Sequence, residues 1–288
     1  MWTALWAVYI IWGSTYLFIA ITVETIPPLS AVSTRFIAAG MIMSAIVLRR
    51  GGSMRVTRRE FAGCALVGCL LPGANAVLFF AEKTVPTGLA SLLIASVPLW
   101  VVILRLWGRE RLRPRTLIGV AVGFAGVAVL LRPSGGATIG GILLCVLSAV
   151  MWSVGSVASA RLTMPRDSFT ATAWEMLVGG FVMLPWGIVD GGGLSPSLGS
   201  SLSWVYLVTI GSVVGYTAYT WLLANAPLAT VSTYAYVNPV VAILLGVLFR
   251  NEHLTVQILI GAAVVVAAVA VVVRQEPPAA TAPEEGVR

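Results

Sequence analysis

Two ionisable side chains stand well inside apolar stretches of this chain, Arg35 and Glu175. Charge at that depth in hydrocarbon is costly, and it marks a solute pathway, a proton relay or a buried ion pair. Each lies about seven residues from the start of its apolar run, roughly 10 Å in. If the two runs enter a bilayer from opposite sides, the residues fall on opposite sides of the midplane, roughly 10 Å apart along the normal. Long side chains narrow that gap. A structural pair, a charge reaching for the interface and two polar points in a wet cavity all stay open at this level. A desolvated Glu175 could take up and release protons in step with transport.

Polar and aromatic residues recur at helical spacing in other runs. Trp12, Thr15, Tyr16 and Ile19 share one face, and Trp152, Gly155, Ser156 and Ser159 form a matching face 140 positions later (152−12). Lipid offers a hydroxyl no partner, so such faces meet protein or water. They serve either close helix packing or the wall of a cavity. Asn75 and Phe79 belong to a third run, and Ser212, Tyr216, Tyr219 and Thr220 to its later counterpart. Ser91, Ser96 and Pro98 are answered by Ser232, Tyr234, Tyr236, Asn238 and Pro239. A proline inside a helix frees a carbonyl, and in transporters such breaks mark binding sites or hinges. The candidate solute contacts are therefore Trp12, Thr15, Arg35, Asn75, Trp152, Ser156, Glu175, Tyr216, Tyr219, Tyr236 and Asn238, with Pro98 and Pro239 as hinges.

Motifs for other chemistry are missing. The single histidine, His253, belongs to a loop, so there is neither HExxH nor a histidine-based triad. The chain has no Walker A sequence for hydrolysing nucleotide. Cys64, Cys69 and Cys145 lie in apolar runs without metal or disulfide spacing and read as packing residues. No cofactor or metal site is expected.

These residues are carried by a chain that is 58% hydrophobic and only 10% charged over 288 residues, with a mean hydropathy of +0.95. A soluble domain carries about a quarter charged residues. The apolar runs approach the roughly 20 residues that span a bilayer as a helix. They predict ten spans, at 3–22, 30–48, 60–81, 87–107, 116–132, 139–160, 168–189, 203–224, 228–249 and 255–273. The net charge of +7 resides in loops. It is not gathered on one soluble face, so nucleic-acid binding is not expected. One set of alternate loops holds Arg49, Arg50, Arg55, Arg58, Arg59, Arg105, Arg109, Arg111, Arg113, Arg115, Arg161, Arg166 and Arg274, whereas the other holds Lys83, Arg132 and Arg250. By the positive-inside rule both termini are cytoplasmic.

The spans are duplicated. Pro86 and Pro98 recur as Pro227 and Pro239 at an offset of 141 (227−86), and Glu110, Leu112 and Gly119 as Glu252, Leu254 and Gly261 at 142 (252−110). An odd number of spans per repeat inverts the second copy relative to the first. The expected architecture is an all-α polytopic membrane protein of two inverted five-helix repeats, residues 1–134 and 135–274, with a disordered cytoplasmic tail over 275–288. Spans five and ten carry no polar candidates and are expected to face lipid. Gly119 and Gly123 make a small-residue face, usable within the chain or for a homodimer. Glu110 and Glu252 precede helix amino ends and suit helix-terminus electrostatics.

Trp12-Gly13, Arg35 and the twice-used Glu…Leu…Gly pattern, over about Trp2 to Val273, resemble the EamA-type transporters of the drug/metabolite transporter superfamily. Ala173–Gly180 (AWEMLVGG) looks like the subset of inner-membrane exporters with a glutamate in span seven. The resemblance implies alternating-access export of small metabolites, such as amino acids or drug-like solutes. It also implies a cavity lined chiefly by spans one, three, four, six, eight and nine. Four-span relatives keep a proton-coupling glutamate in their first helix, and span one here has none. A channel, a structural scaffold or a membrane-embedded enzyme are the alternatives, and the last lacks a catalytic constellation.

Overall fold

The computed structural model describes residues 1–109, 113–131, 136–190, 195–226 and 233–275. Glu110, Ser232 and the tail beyond residue 275 lie outside these. Every regular element among the described residues is helical. In chain order they are α1 (Trp2–Thr22), α2 (Pro28–Arg49), α3 (Arg58–Ala81), α4 (Thr87–Ile94), α5 (Val97–Trp107), α6 (Pro114–Leu130), α7 (Ile139–Ser159), α8 (Ser168–Asp190) and α9 (Leu198–Tyr206). A π-helical segment (Leu207–Val214) leads into α10 (Gly215–Asn225), followed by α11 (Tyr234–Arg250) and α12 (Val256–Gln275). Among the described residues, seven stretches are long and apolar enough to cross a membrane: α1, α2, α3, α4 with α5, α7, α8, and Leu198–Tyr219. Shorter apolar helices coincide with α6, α11 and α12. The chain is a multi-pass membrane protein.

Local sequence sets the helix ends. Pro28 and Pro114 open α2 and α6, where a missing N–H costs nothing. Thr57 and Glu60 close a capping box on α3, each satisfying the other's backbone amide. The run expected over 87–107 is two helices rather than one. It breaks at Ala95 and Ser96, directly before Pro98. Pro98 has no N–H for the Ile94 carbonyl, and its ring crowds that turn.

Alternate loops gather at opposite ends. At one end Arg250 pairs with Glu24, Thr138 donates its N–H to the Thr84 carbonyl, and Ser197 donates its N–H to Thr25. At the other end the Trp174 indole donates to the Met54 carbonyl, Thr170 to the Ser53 carbonyl, and Arg50 stacks over Phe169.

Close approaches fall on glycine. Between α2 and α8, a Cβ at Gly180 would lie 2.8 Å from the Ile37 nitrogen and 2.9 Å from the Ser33 carbonyl oxygen. Between α6 and α12, a Cβ at Gly126 would lie 2.8 Å from Val264 Cγ1, and one at Gly119 3.0 Å from Val272 Cγ2. The small-residue face of span five is thus used within the chain. α1 crosses α11 at Gly13, where a Cβ would lie 2.6 Å from Val241 Cβ. In the corresponding place on α7, the Ser153 hydroxyl donates to the Val97 carbonyl of α5.

Candidate functional site

A cavity lies between α1, α2, α3, α4, α5, α7, α10, α11 and the π-helical segment. Water centres can occupy about 140 Å³ of it. At roughly 10–15 Å³ per water centre, that is room for about ten waters or a small organic molecule. The resemblance implied six spans for such a cavity, and span two joins them through Arg35 and Phe36.

Arg35 is the charged residue of the wall. It is 5% exposed, its Nε donates to the Ser212 hydroxyl at 3.1 Å, and its guanidinium carbon lies 5.1 Å from the Phe36 ring centre. Phe79 stands on another side at 5.9 Å. Among the described residues Nη1 has no hydrogen-bond partner. The aromatic faces offset part of the desolvation of the cation. They leave Nη1 free for a ligand. The π-helical segment makes this geometry. Its wider turn brings Gly211 into the wall and Ser212 onto Arg35, as single π turns commonly do at functional sites.

Both prolines belong to the wall, as do Ile94 and Ala235, each four residues before a proline. The carbonyls of those two residues lack the N–H that a regular helix would supply. They are natural acceptors for solute or water. Trp12 stands in the wall at the centre of an aromatic cluster, with ring centres 5.7 Å from Tyr216, 5.0 Å from Tyr219 and 5.2 Å from Tyr234. Asn238, oriented by its neighbours, donates to the carbonyls of Tyr234 at 3.2 Å and Tyr9 at 3.3 Å. Near it Tyr9 and Thr233 share a hydroxyl–hydroxyl bond between α1 and the start of α11.

At the amino end of α4, which carries Ser91 and Ile94 of the wall, Glu252 forms a latch between α11 and α4. Asn251 takes the left-handed conformation at the end of α11 (φ 52°), and the Glu252 N–H bonds back to the Gly246 carbonyl at 3.2 Å. That Schellman-like turn aims the Glu252 side chain back along α11. Gly246 makes room for it, since a Cβ there would collide with the carboxylate. The carboxylate then accepts the Thr87 N–H at 2.7 Å and the Gly88 N–H at 3.0 Å. These are orphan amides of the first turn of α4, where negative charge is favoured. Glu252 does cap a helix terminus, but that of α4 in the other half of the chain. Arg109 adopts the same left-handed conformation (φ 60°) 142 positions before Asn251 (251−109).

Of the residues singled out from sequence, the wall contains Trp12, Thr15, Arg35, Asn75, Trp152, Tyr216 and Asn238. Ser156, Glu175, Tyr219 and Tyr236 stand off it. The Ser156 hydroxyl donates to the Trp152 carbonyl, and Tyr219 backs Trp12. Glu175 lies where α8 meets α3, its carbonyl against Gly68. Arg35 lies by Phe79, eleven residues further along α3 (79−68), roughly 16 Å at 1.5 Å per residue. No ion pair joins Arg35 and Glu175 among the described residues. Tyr216 is within electrostatic reach of both. The sequence reading missed Ser148, which joins the wall, and Glu82, at the carboxyl end of α3. A charge at the end of an apolar run reads as a loop residue, and hydropathy carries no signal of lateral burial.

The EamA-like transporter family matches residues 1–132 and again residues 139–274. The chain belongs to this family. EamA relatives cover most of its length. One named "Uncharacterized inner membrane transporter YedA", from Escherichia coli (strain K12), is 40% identical over 260 residues, covering 88% of this chain and 83% of the relative. "Protein PecM" of Dickeya dadantii (strain 3937) is 28% identical over 267 residues, 87% of this chain and 84% of that protein. A crystal structure with 24% identity superposes with a TM-score of 0.67 over 94% of this chain and 96% of its own, a likeness of fold.

Proposed function

We propose that this EamA protein is a secondary transporter that exports a small organic solute bearing a carboxylate or similar anionic group, by alternating access across the cytoplasmic membrane. The observation that carries the solute class is Arg35 Nη1, buried in the cavity wall without a partner. A buried guanidinium with an unfilled donor is costly, and an anionic ligand supplies charge and acceptor together. The aromatic wall and the carbonyls freed by Pro98 and Pro239 suit the rest of an amino-acid-sized molecule. The name of the Escherichia coli relative supports the inner membrane. The arginine asymmetry supports cytoplasmic termini. The duplicated pattern supports two inverted five-span repeats over 1–134 and 135–274, with Pro98 and Pro239 as hinges. Export follows from the family resemblance.

The test is binding to purified protein, read as a thermal shift across amino acids, small carboxylates and their neutral amides. A carboxylate should bind and its amide should not. Arg35→Met should lose that binding by about 10- to 100-fold, the worth of a charge-assisted hydrogen bond of roughly 1.5–3 kcal/mol. Equal binding by Arg35→Met, or a preference for cationic solutes, would overturn the reading.

A further inference from the structure

Glu82 ends α3 at the latched end of the molecule, and its N–H closes the last turn onto the Leu78 carbonyl. It is 6% exposed, and neither carboxylate oxygen has a hydrogen-bond partner among the described residues. The Thr87 hydroxyl, on the first turn of α4, is buried and unpartnered as well. The titratable or charged groups within electrostatic reach of Glu82 are Tyr16 of α1, Cys145 of α7, and Glu252 and Arg250 at the end of α11. Tyr16 lines the cavity and Glu252 forms the latch, so Glu82 is within electrostatic reach of both. Arg250 is already committed to Glu24, at 2.6 Å.

An ionised carboxylate cannot rest in such a place without a partner. We propose that Glu82 is the proton-binding site of the outer gate: it holds a proton while the Glu252 latch is closed and releases it to the outer water when the latch opens. Burial first, then the Glu252 charge, push the Glu82 carboxyl well above the usual carboxylate range, with Arg250 pulling the other way. In the open state water reaches it and the ordinary value returns. The closed state therefore binds one proton more than the open state. Between the two values, each unit of rising pH shifts the balance tenfold toward the open gate. The first repeat alone carries this group. At the offset of 141 that relates Pro86 to Pro227, position 82 corresponds to Leu223 (82+141). Protons thus act on one gate only.

This inference rests on the alternating-access reading, but its test needs no solute. Spin labels are placed on cysteines at Gly140, where a side chain meets open space, and at exposed His253, in a background without Cys64, Cys69 and Cys145. Labelling His253 also removes the one histidine, so it cannot supply the response. The label distance in liposomes should be short at low pH and lengthen with rising pH, the closed:open ratio falling about tenfold per unit. Glu82→Gln should stay short at every pH, and Glu82→Asp should keep a transition. With the unaltered gate, an infrared band of protonated carboxyl should vanish with the same midpoint. An unchanged transition in Glu82→Gln, a distance that ignores pH, or the absence of that band would overturn the proposal. A failure here leaves the Arg35 binding test untouched, and the reverse holds.

Discussion

Glu252→Ala removes the latch. The carboxylate accepts two amides of the first turn of α4, at 2.7 and 3.0 Å. Hydrogen bonds to a charged group contribute about 1.5–3 kcal/mol each. Glu252 is half-buried, so water screens it, and the lower end of that range applies: about 3 kcal/mol for the pair. At 1.4 kcal/mol per factor of ten, the closed form should lose roughly 100-fold against the open form. A cysteine at Ser91 reports this. Ser91 is 1% exposed, belongs to α4 and lines the cavity, three residues after the latched Gly88. In a background without the three native cysteines, a membrane-impermeant thiol reagent applied outside should modify it up to about 100 times faster after Glu252→Ala. Glu252→Asp, one methylene shorter, should fall between. An unchanged rate in Glu252→Ala would show that this carboxylate does not hold the end shut, and would refute the reasoning.

Two further outcomes follow from packing and charge. Gly123→Leu places a Cβ 2.5 Å from Leu99 Cδ1 and 3.2 Å from Ala268 Cβ, an overpacking that costs about 1–3 kcal/mol, so the melting temperature in detergent should fall by several degrees. Loss of a dimer with an unchanged melting temperature would instead assign the glycine face to a partner copy. Reporter fusions at Arg274 and Ser197 should report opposite sides of the membrane, with Arg274 cytoplasmic, and the same side for both would refute the proposed orientation.

Much of this molecule follows from the order of its residues. A bilayer imposes one length and one rule of backbone satisfaction on every span, so composition and run length suffice to reveal a helical membrane protein. The prolines at 98 and 239 announce broken carbonyl ladders wherever they stand. The buried charge of Arg35 announces a ligand or a partner. Faces are harder to read, because helical spacing shows which residues share a side and leaves open which neighbour that side meets. Tyr16 and Ser156 occupy matching places on matching stripes (156−16 is again 140), yet only Tyr16 reaches the cavity. The π-helical turn that brings Ser212 onto Arg35 has no sequence signature, since it answers to packing across several helices. Glu252 shows its pattern in the chain, whereas its acceptor role on α4 depends on two halves meeting at Gly88 and Gly246. Glu82 is the extreme case. Hydropathy along α3 says nothing of its surroundings, so only the tertiary structure turns an ordinary span-end glutamate into a buried carboxylate with neither oxygen partnered among the described residues.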